Sequence, residues 1–174
     1  MKRRTLLQGF ALASAFQVIH LYKYKQAVAS TFDLVAIQPL NKPHKTWREF
    51  VSAEAFKVLF EEDTELPGSS ALNHELRDGT FICAACYLPL FDSARKYESG
   101  TGWPSFTQPI TGHIATKQDF KIIIPRTEYH CARCDGHQGH VFKDGPQPRK
   151  ERWCNNGVAL QFVLRKEHLP DLRS

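Results

Sequence analysis

The chain has 174 residues, 42% hydrophobic and 24% charged, which fits one soluble globular domain and is short for two. Its formal net charge is +5, but residues 1–29 hold five of the 23 basic residues (Lys2, Arg3, Arg4, Lys23 and Lys25) and no acidic one. The remaining 18 basic residues balance 18 acidic ones, so composition gives no support to a phosphate-binding or nucleic-acid-binding surface.

The basic leader opens Met1-Lys-Arg-Arg-Thr5, and a mildly apolar stretch follows from Leu6 to Leu21, interrupted by Gln8, Gln17 and His20. That stretch is short and polar for a membrane span, which needs about 20 apolar residues. Residues 1–29 read instead as a signal peptide, with Arg3-Arg4 resembling the twin-arginine type and Ala27-Val-Ala29 as a small-residue cleavage site. The expectation is export to a periplasm or lumen; a membrane-anchored or cytoplasmic chain is the alternative. Residues 30–45 lack periodicity, carry Pro39 and Pro43, and read as a linker to a domain over 46–174.

Thr46-Trp-Arg-Glu49 fits a capping box, and Phe50, Phe56, Leu59 and Phe60 follow at helical spacing, predicting an amphipathic helix over 47–60. Ser69-Ser70 predicts the cap of a second short helix ending near Gly79. Beyond Gly79 short β-branched and aromatic runs alternate with Gly, Pro and Asp turns. They predict strands at Thr80–Cys83, Lys121–Ile124, Glu128–Cys131, His140–Lys143, Arg152–Asn155 and Val158–Leu164. The fold class is therefore α+β, mainly β: short N-terminal helices, then a compact antiparallel body.

Cys83-Ala-Ala-Cys86 and Cys131-Ala-Arg-Cys134 each place two thiols two residues apart, with Pro89 and Asp135-Gly136 as turn residues nearby. Two such turns can bring four sulfurs onto one tetrahedral zinc at about 2.3 Å, a structural site with no open position. The competing pairing is two disulfides, which an oxidising compartment permits. Cys154 is left over, in Arg149-Lys-Glu-Arg-Trp-Cys-Asn-Asn-Gly157, where neighbouring cations favour the nucleophilic thiolate. Two further segments look built for a site. Ser99-Gly-Thr-Gly-Trp-Pro-Ser-Phe106 can present Trp103 as a flat apolar wall, and Gly136-His-Gln-Gly-His140 offers two imidazoles. Together with an unpaired cysteine they point to thiol-based redox chemistry.

These motifs resemble the methionine-R-sulfoxide reductases in order and spacing: Thr64-Glu65, Cys83-x-x-Cys86-x-x-Pro-Leu-Phe91, Lys96-Tyr97, Ser99-Gly-x-Gly-Trp-Pro-Ser-Phe106, Cys131-x-x-Cys134-x-Gly-His-x-Gly-His-Val-Phe142, Asp144-Gly-Pro146 and Arg152-Trp-Cys-x-Asn156. The resemblance runs from about Val58 to Phe162. It implies a zinc-bearing β-rich fold in which Cys154 attacks the sulfoxide sulfur and becomes a sulfenic acid. It also implies that His137 and His140 position and protonate the oxygen, that Trp103 seats the methyl group, and that Asn156 is a hydrogen-bonding partner in the pocket. The resemblance implies oxidised protein or free methionine sulfoxide as substrate and a thioredoxin-like protein or a small thiol as reductant, and the expected state is a monomer.

The chain departs from the family in three places. Thr101 stands where many members carry a resolving cysteine, so no thiol remains to close an internal disulfide. Gln138 replaces an expected Leu, and Asn155-Asn-Gly157 replaces an apolar residue, Asn and Ser. A non-catalytic zinc-ribbon module or a disulfide-stapled domain would explain the cysteine pairs alone, but not Trp103, His137, His140 and Cys154 together. A catalytic zinc hydrolase lacks an open coordination position.

Overall fold

The computed structural model describes residues 37–120 and 125–174. The signal-peptide reading of 1–29, the first part of the linker and the strand expected at Lys121–Ile124 lie outside the described residues. Of the expected linker, residues 37–43 are neither helix nor strand, and the Leu40 N–H donates to the Arg133 carbonyl at 2.7 Å. Among the described residues no helix is long and apolar enough to cross a membrane.

The first helical stretch differs from the expectation over 47–60. A 3-10 turn runs His44–Glu49, and the α-helix α1 spans Ala53–Glu61. The Thr46 hydroxyl donates back to the Pro43 carbonyl at 2.7 Å instead of capping a helix, so the capping box does not form. Ser52 takes the cap, with extended backbone and its oxygen accepting from the Ala55 N–H at 3.1 Å. The break lets Trp47 fold back and stack on Phe60, ring centroids 5.9 Å apart and 9° from parallel. The second expected helix is one 3-10 turn, Ala71–His74, capped by Ser70.

Among the described residues nine strands follow: β1 Gly79–Cys83, β2 Pro89–Asp92, β3 Lys96–Tyr97, β4 Ser105–Phe106, β5 Ile114–Asp119, β6 Arg126–Cys131, β7 His137–Phe142, β8 Arg152–Asn155 and β9 Leu160–Leu164. They form two antiparallel sheets, ordered β2-β1-β9 and β3-β4-β8-β7-β6-β5, so the fold is mainly β as the sequence predicts. Aromatic rings from both sheets meet in the core. Phe91 of β2 stacks on Phe106 of β4 at 4.1 Å, Phe81 of β1 meets the same ring edge-on, and Tyr129 of β6 reaches both Phe91 and Trp153. Phe81, Phe91, Phe106 and Tyr129 are fully buried, so this stack contributes much of the apolar burial that fixes the sheets.

The expected strand at 140–143 begins three residues earlier, at His137, because β7 carries one extra residue. Tyr129 pairs with Gly139 but His130 pairs with His137, which leaves Gln138 as a bulge. Without it, His137 and His140, three residues apart, would face opposite sides of the sheet. With it, their ring centroids lie 5.4 Å apart.

Candidate active site and metal centre

The two cysteine pairs form matched turns. In the first, the Cys83 N–H donates to Leu88 O and the Tyr87 N–H to Cys83 O; in the second, Cys131 N–H donates to Gly136 O and Asp135 N–H to Cys131 O. Tyr87 and Asp135, each one residue past the second cysteine, both have left-handed backbone, with φ of 65° and 61°. All four cysteines are buried and free, with Sγ–Sγ distances of 3.6 Å for Cys83–Cys134 and 3.5 Å for Cys86–Cys131. Disulfide sulfurs lie about 2.05 Å apart, so the disulfide alternative is not the arrangement present. Four sulfurs on one zinc are separated by about 3.8 Å, close to what is found, and all four lie within 4.8 Å of one another. Burial pushes the Cys83 thiol up, while hydrogen bonds from Cys131 and the other neighbours pull Cys86 down. Four such groups cannot all ionise without a cation among them, so the donor set fits a structural metal ion.

Cys154 sits in the middle of β8, where Ser105 of β4 and His140 of β7 flank it in register. Directly opposed residues share a face about 5 Å apart, so an imidazole and a hydroxyl residue border the thiol. Burial pushes the Cys154 thiol up from its ordinary range; the Arg152 guanidinium and the Thr101 hydroxyl oppose that shift without overcoming it. The thiolate-promoting flank expected from sequence is thus present but outweighed. Arg152 is held by a two-pronged contact to Asp144, both nitrogens at 2.9 Å, and lies over the Phe142 ring. Arg149 instead engages Glu151 near the surface.

Each imidazole of the pair has its own carboxylate. His140 Nε2 lies 3.0 Å from Asp119 Oδ2, which also accepts from Arg126 at 2.6 Å. His137 Nδ1 lies against Glu128 Oε1. Burial pulls the His137 ring down to about 4, and Glu128 only partly offsets it, so this imidazole is neutral near pH 7. Burial lowers His140 as well, with Asp119 opposing. Asp119 and Glu128, each 3% exposed at the side chain, were not among the residues expected from sequence. Nothing in their sequence neighbourhood marks them, because the partners arrive from other strands.

Trp103 is half-buried, and its indole N–H donates to the Glu65 carbonyl at 3.2 Å. Its loop is tied on both sides: the Gly68 N–H donates to Gly102 O at 2.7 Å, and the Asn155 N–H to Pro104 O at 2.9 Å. Gly102 has φ of 89°, and a Cβ there would come within 2.8 Å of the Pro67 ring, so a side chain is excluded twice over. The structure therefore brings Cys154, His137, His140 and the Trp103 loop around one stretch of β7 and β8. Asn156 is placed differently. It is 3% exposed, its oxygen accepts from the Glu65 N–H and its nitrogen donates to the Gln138 carbonyl, both at 3.1 Å. Both ends of the amide are engaged inside the protein.

Glu65 is the residue whose importance sequence reasoning missed. Its carboxylate accepts from the Gly157 and Val158 N–H groups at 2.7 and 2.8 Å, its N–H holds Asn156, and its carbonyl holds Trp103. One buried residue thus clamps the indole loop to the segment following Cys154. Thr64-Glu65 was visible as part of a motif, but Trp103 lies 38 residues away and Asn156, Gly157 and Val158 more than 90.

Comparison with known proteins agrees with this architecture. The SelR domain family matches residues 51–164. Similar proteins include one from Leptospira interrogans, 43% identical over 124 residues, covering 71% of this chain and 95% of the relative. One from Bradyrhizobium diazoefficiens is 46% identical over 122 residues, covering 70% and 88%; one from Caulobacter vibrioides is 42% identical over 146 residues, covering 83% and 92%. Each of the three carries the name peptide methionine sulfoxide reductase MsrB. With more than half its length matched by the domain and relatives above 40% identity along nearly their whole length, the chain belongs to the SelR-domain family of MsrB proteins.

Proposed function

We propose that this chain is an oxidoreductase that reduces the R epimer of methionine sulfoxide to methionine, with Cys154 as nucleophile. The observation that carries the reading is the pairing of Cys154 with His140 across β7 and β8, with His137 turned to the same side by the Gln138 bulge. The names of the MsrB relatives support the same reaction.

Sulfoxide reduction needs a soft nucleophile, a proton source for the departing oxygen and an apolar seat for the methyl group. Cys154 supplies the first. Its thiol is raised by burial, so it attacks the sulfoxide sulfur as it loses its proton to the imidazole side of the site. His140, oriented by Asp119, and His137, backed by Glu128, hold the sulfoxide oxygen and pass it the proton. Trp103 forms the wall for the methyl group, and Asn156 acts indirectly by fixing Glu65 and through it the indole. The balance is one thiol and one sulfoxide giving one sulfenic acid and one thioether. Methionine sulfur gains two electrons, and Cys154 sulfur loses them and takes the oxygen.

Thr101 occupies the resolving position, so an external thiol attacks the sulfenic acid, releasing water and leaving a mixed disulfide that a second thiol reduces. A thioredoxin-like protein or a small thiol serves that role. Both protein-bound and free methionine sulfoxide are substrates in this reading, and the activity repairs oxidised protein. The four-cysteine cluster would hold one zinc, which fixes the two turns and leaves no coordination position for substrate. The basic leader and the apolar stretch over 1–29 support export to a periplasm or lumen.

The test is turnover of separately resolved R and S methionine sulfoxides by the chain with dithiothreitol, beside a Cys154→Ser control. Consumption of the R epimer alone, abolished in the control, is the expected result. A folded, metal-bearing protein that turns over neither epimer would leave a non-catalytic binding module as the better description.

A further inference from the structure

A second group of metal-ligating atoms lies beneath the histidine pair. Glu128 and His130 come from β6 and His137 from β7, and all three are buried, at 3%, 5% and 1% exposure. One ligand atom from each lies within 4.8 Å of the other two. His130 Nε2 is 3.1 Å from Glu128 Oε1, and His137 Nδ1 lies against the same oxygen. Yet Glu128 Oε1, His130 Nε2 and His137 Nδ1 have no aligned hydrogen-bond partner, although each is shut off from water. Buried polar atoms of native proteins are nearly always satisfied, so three together need an explanation.

The proton on His130 supplies one. His130 Nδ1 is 2.9 Å from the Asp135 carbonyl oxygen, which can only accept, so Nδ1 carries the hydrogen. The ring's other nitrogen, Nε2, then faces a carboxylate oxygen 3.1 Å away without an aligned hydrogen bond to it, and a cation held by both atoms would satisfy the pair. Histidines that bind metals characteristically donate their other ring nitrogen to a backbone carbonyl, which fixes tautomer and orientation in this way. The other carboxylate oxygen, Oε2, faces Lys117 Nζ at 3.5 Å, which leaves Oε1 for the cluster. Two imidazoles and one carboxylate are a donor set that zinc takes with three protein ligands and one open position.

We propose that Glu128 Oε1, His130 Nε2 and His137 Nδ1 form a second metal site, separate from the four-cysteine centre, for a borderline divalent cation such as Zn²⁺ or Co²⁺. Imidazole ligands suit such ions, whereas Mg²⁺ and Ca²⁺ demand oxygen-rich cages. A cation on His137 Nδ1 requires that ring's proton to sit on Nε2, so occupancy would set which nitrogen of His137 can donate within the reactive site. The inference rests on ligand geometry and stands whether or not the chain reduces sulfoxides.

The test is titration of the purified, four-cysteine-loaded protein with Co²⁺, followed by absorption and by metal analysis after gel filtration. The expected result is one further equivalent whose visible bands lack thiolate charge transfer, lost in both His130→Gln and Glu128→Gln. Retention of the metal already bound at the four cysteines shows that each variant is folded. No binding beyond the four-cysteine equivalent in the wild type would overturn the proposal, as would a second equivalent that persists in both variants.

Discussion

Asn155 donates from its side-chain nitrogen to the side-chain oxygen of Gln138 at 3.2 Å, joining two of the positions where the chain departs from its family. The departures are therefore coupled. Gln138 in turn points its nitrogen at Cys83 Sγ, 3.6 Å away, and the Asn155 oxygen accepts from the Tyr129 hydroxyl at 2.9 Å. A buried polar chain thus runs from a cysteine of the metal cluster to the residue beside Cys154. Such chains hold together only when every member is satisfied.

Asn155→Val should accordingly destabilise the domain by about 1–3 kcal/mol for each partner it strands, here the Tyr129 hydroxyl and the Gln138 oxygen. Adding Tyr129→Phe and Gln138→Leu in that background removes the stranded groups and should recover much of the loss. Urea-unfolding midpoints of the single, double and triple variants measure this. Purely additive losses would mean that the three residues do not act as a chain.

Much of the site was legible because its signals are local. CxxC spacing, an unpaired cysteine two residues from Arg152, and the Gly-rich loop around Trp103 all lie within a few residues of sequence. The strands at 79–83 and 152–155 were legible because each is a short run with β-branched or aromatic residues bounded by turn-forming segments. β5 was not, since Ala115, Thr116, Lys117 and Gln118 are exposed and carry no apolar pattern. The start of α1 was misplaced because Thr46 and Ser52 are both competent caps, and only tertiary stacking of Trp47 on Phe60 decides between them. The bulge at Gln138 and the Glu65 clamp depend on pairing between distant segments, to which no local pattern corresponds.

Glu65→Gln tests the clamp. The amide presents only one acceptor where the carboxylate serves two N–H groups, so Gly157 or Val158 loses its partner at a cost of about 1.5–3 kcal/mol. Because Glu65 also holds the Trp103 loop, the variant should raise KM for methionine sulfoxide several-fold. Alkylation of Cys154 by iodoacetamide should proceed at the wild-type rate, since Glu65 does not touch the thiol. A parallel fall in alkylation rate would mark general loosening of the fold instead of a role in positioning.

The pH dependence of Cys154 follows from its burial. A raised thiol is mostly protonated at neutral pH, and the thiolate is the nucleophile, so reactivity rises with pH. Iodoacetamide labelling of Cys154 should climb about tenfold per pH unit through the neutral range and show no plateau below the ordinary thiol value of 9.0. Arg152→Gln removes the opposing cation, which raises the thiol further and lowers the rate at any given pH. A plateau near neutrality in the wild type would show that Arg152 outweighs burial after all.

Thr101 offers the sharpest test of how the oxidised enzyme is recycled. Its hydroxyl contacts both Ser99, at 2.8 Å, and the Cys154 thiol, so a side chain at this position already reaches the reactive sulfur. Thr101→Cys should therefore supply the missing resolving thiol. After one equivalent of methionine R-sulfoxide without reductant, the variant should end two hydrogens lighter than its reduced form, the sulfoxide oxygen having left as water, which intact mass reads as an internal disulfide. The wild type should instead gain one oxygen, as the sulfenic acid, and trap a thiol-directed probe such as dimedone. Reduction by a dithiol protein should quicken in the variant, because a disulfide is a better target for exchange than a half-buried sulfenic acid. If the wild type itself yields an internal disulfide, one of the four clustered cysteines must leave its metal to resolve Cys154, and the structural role assigned to that cluster fails with it.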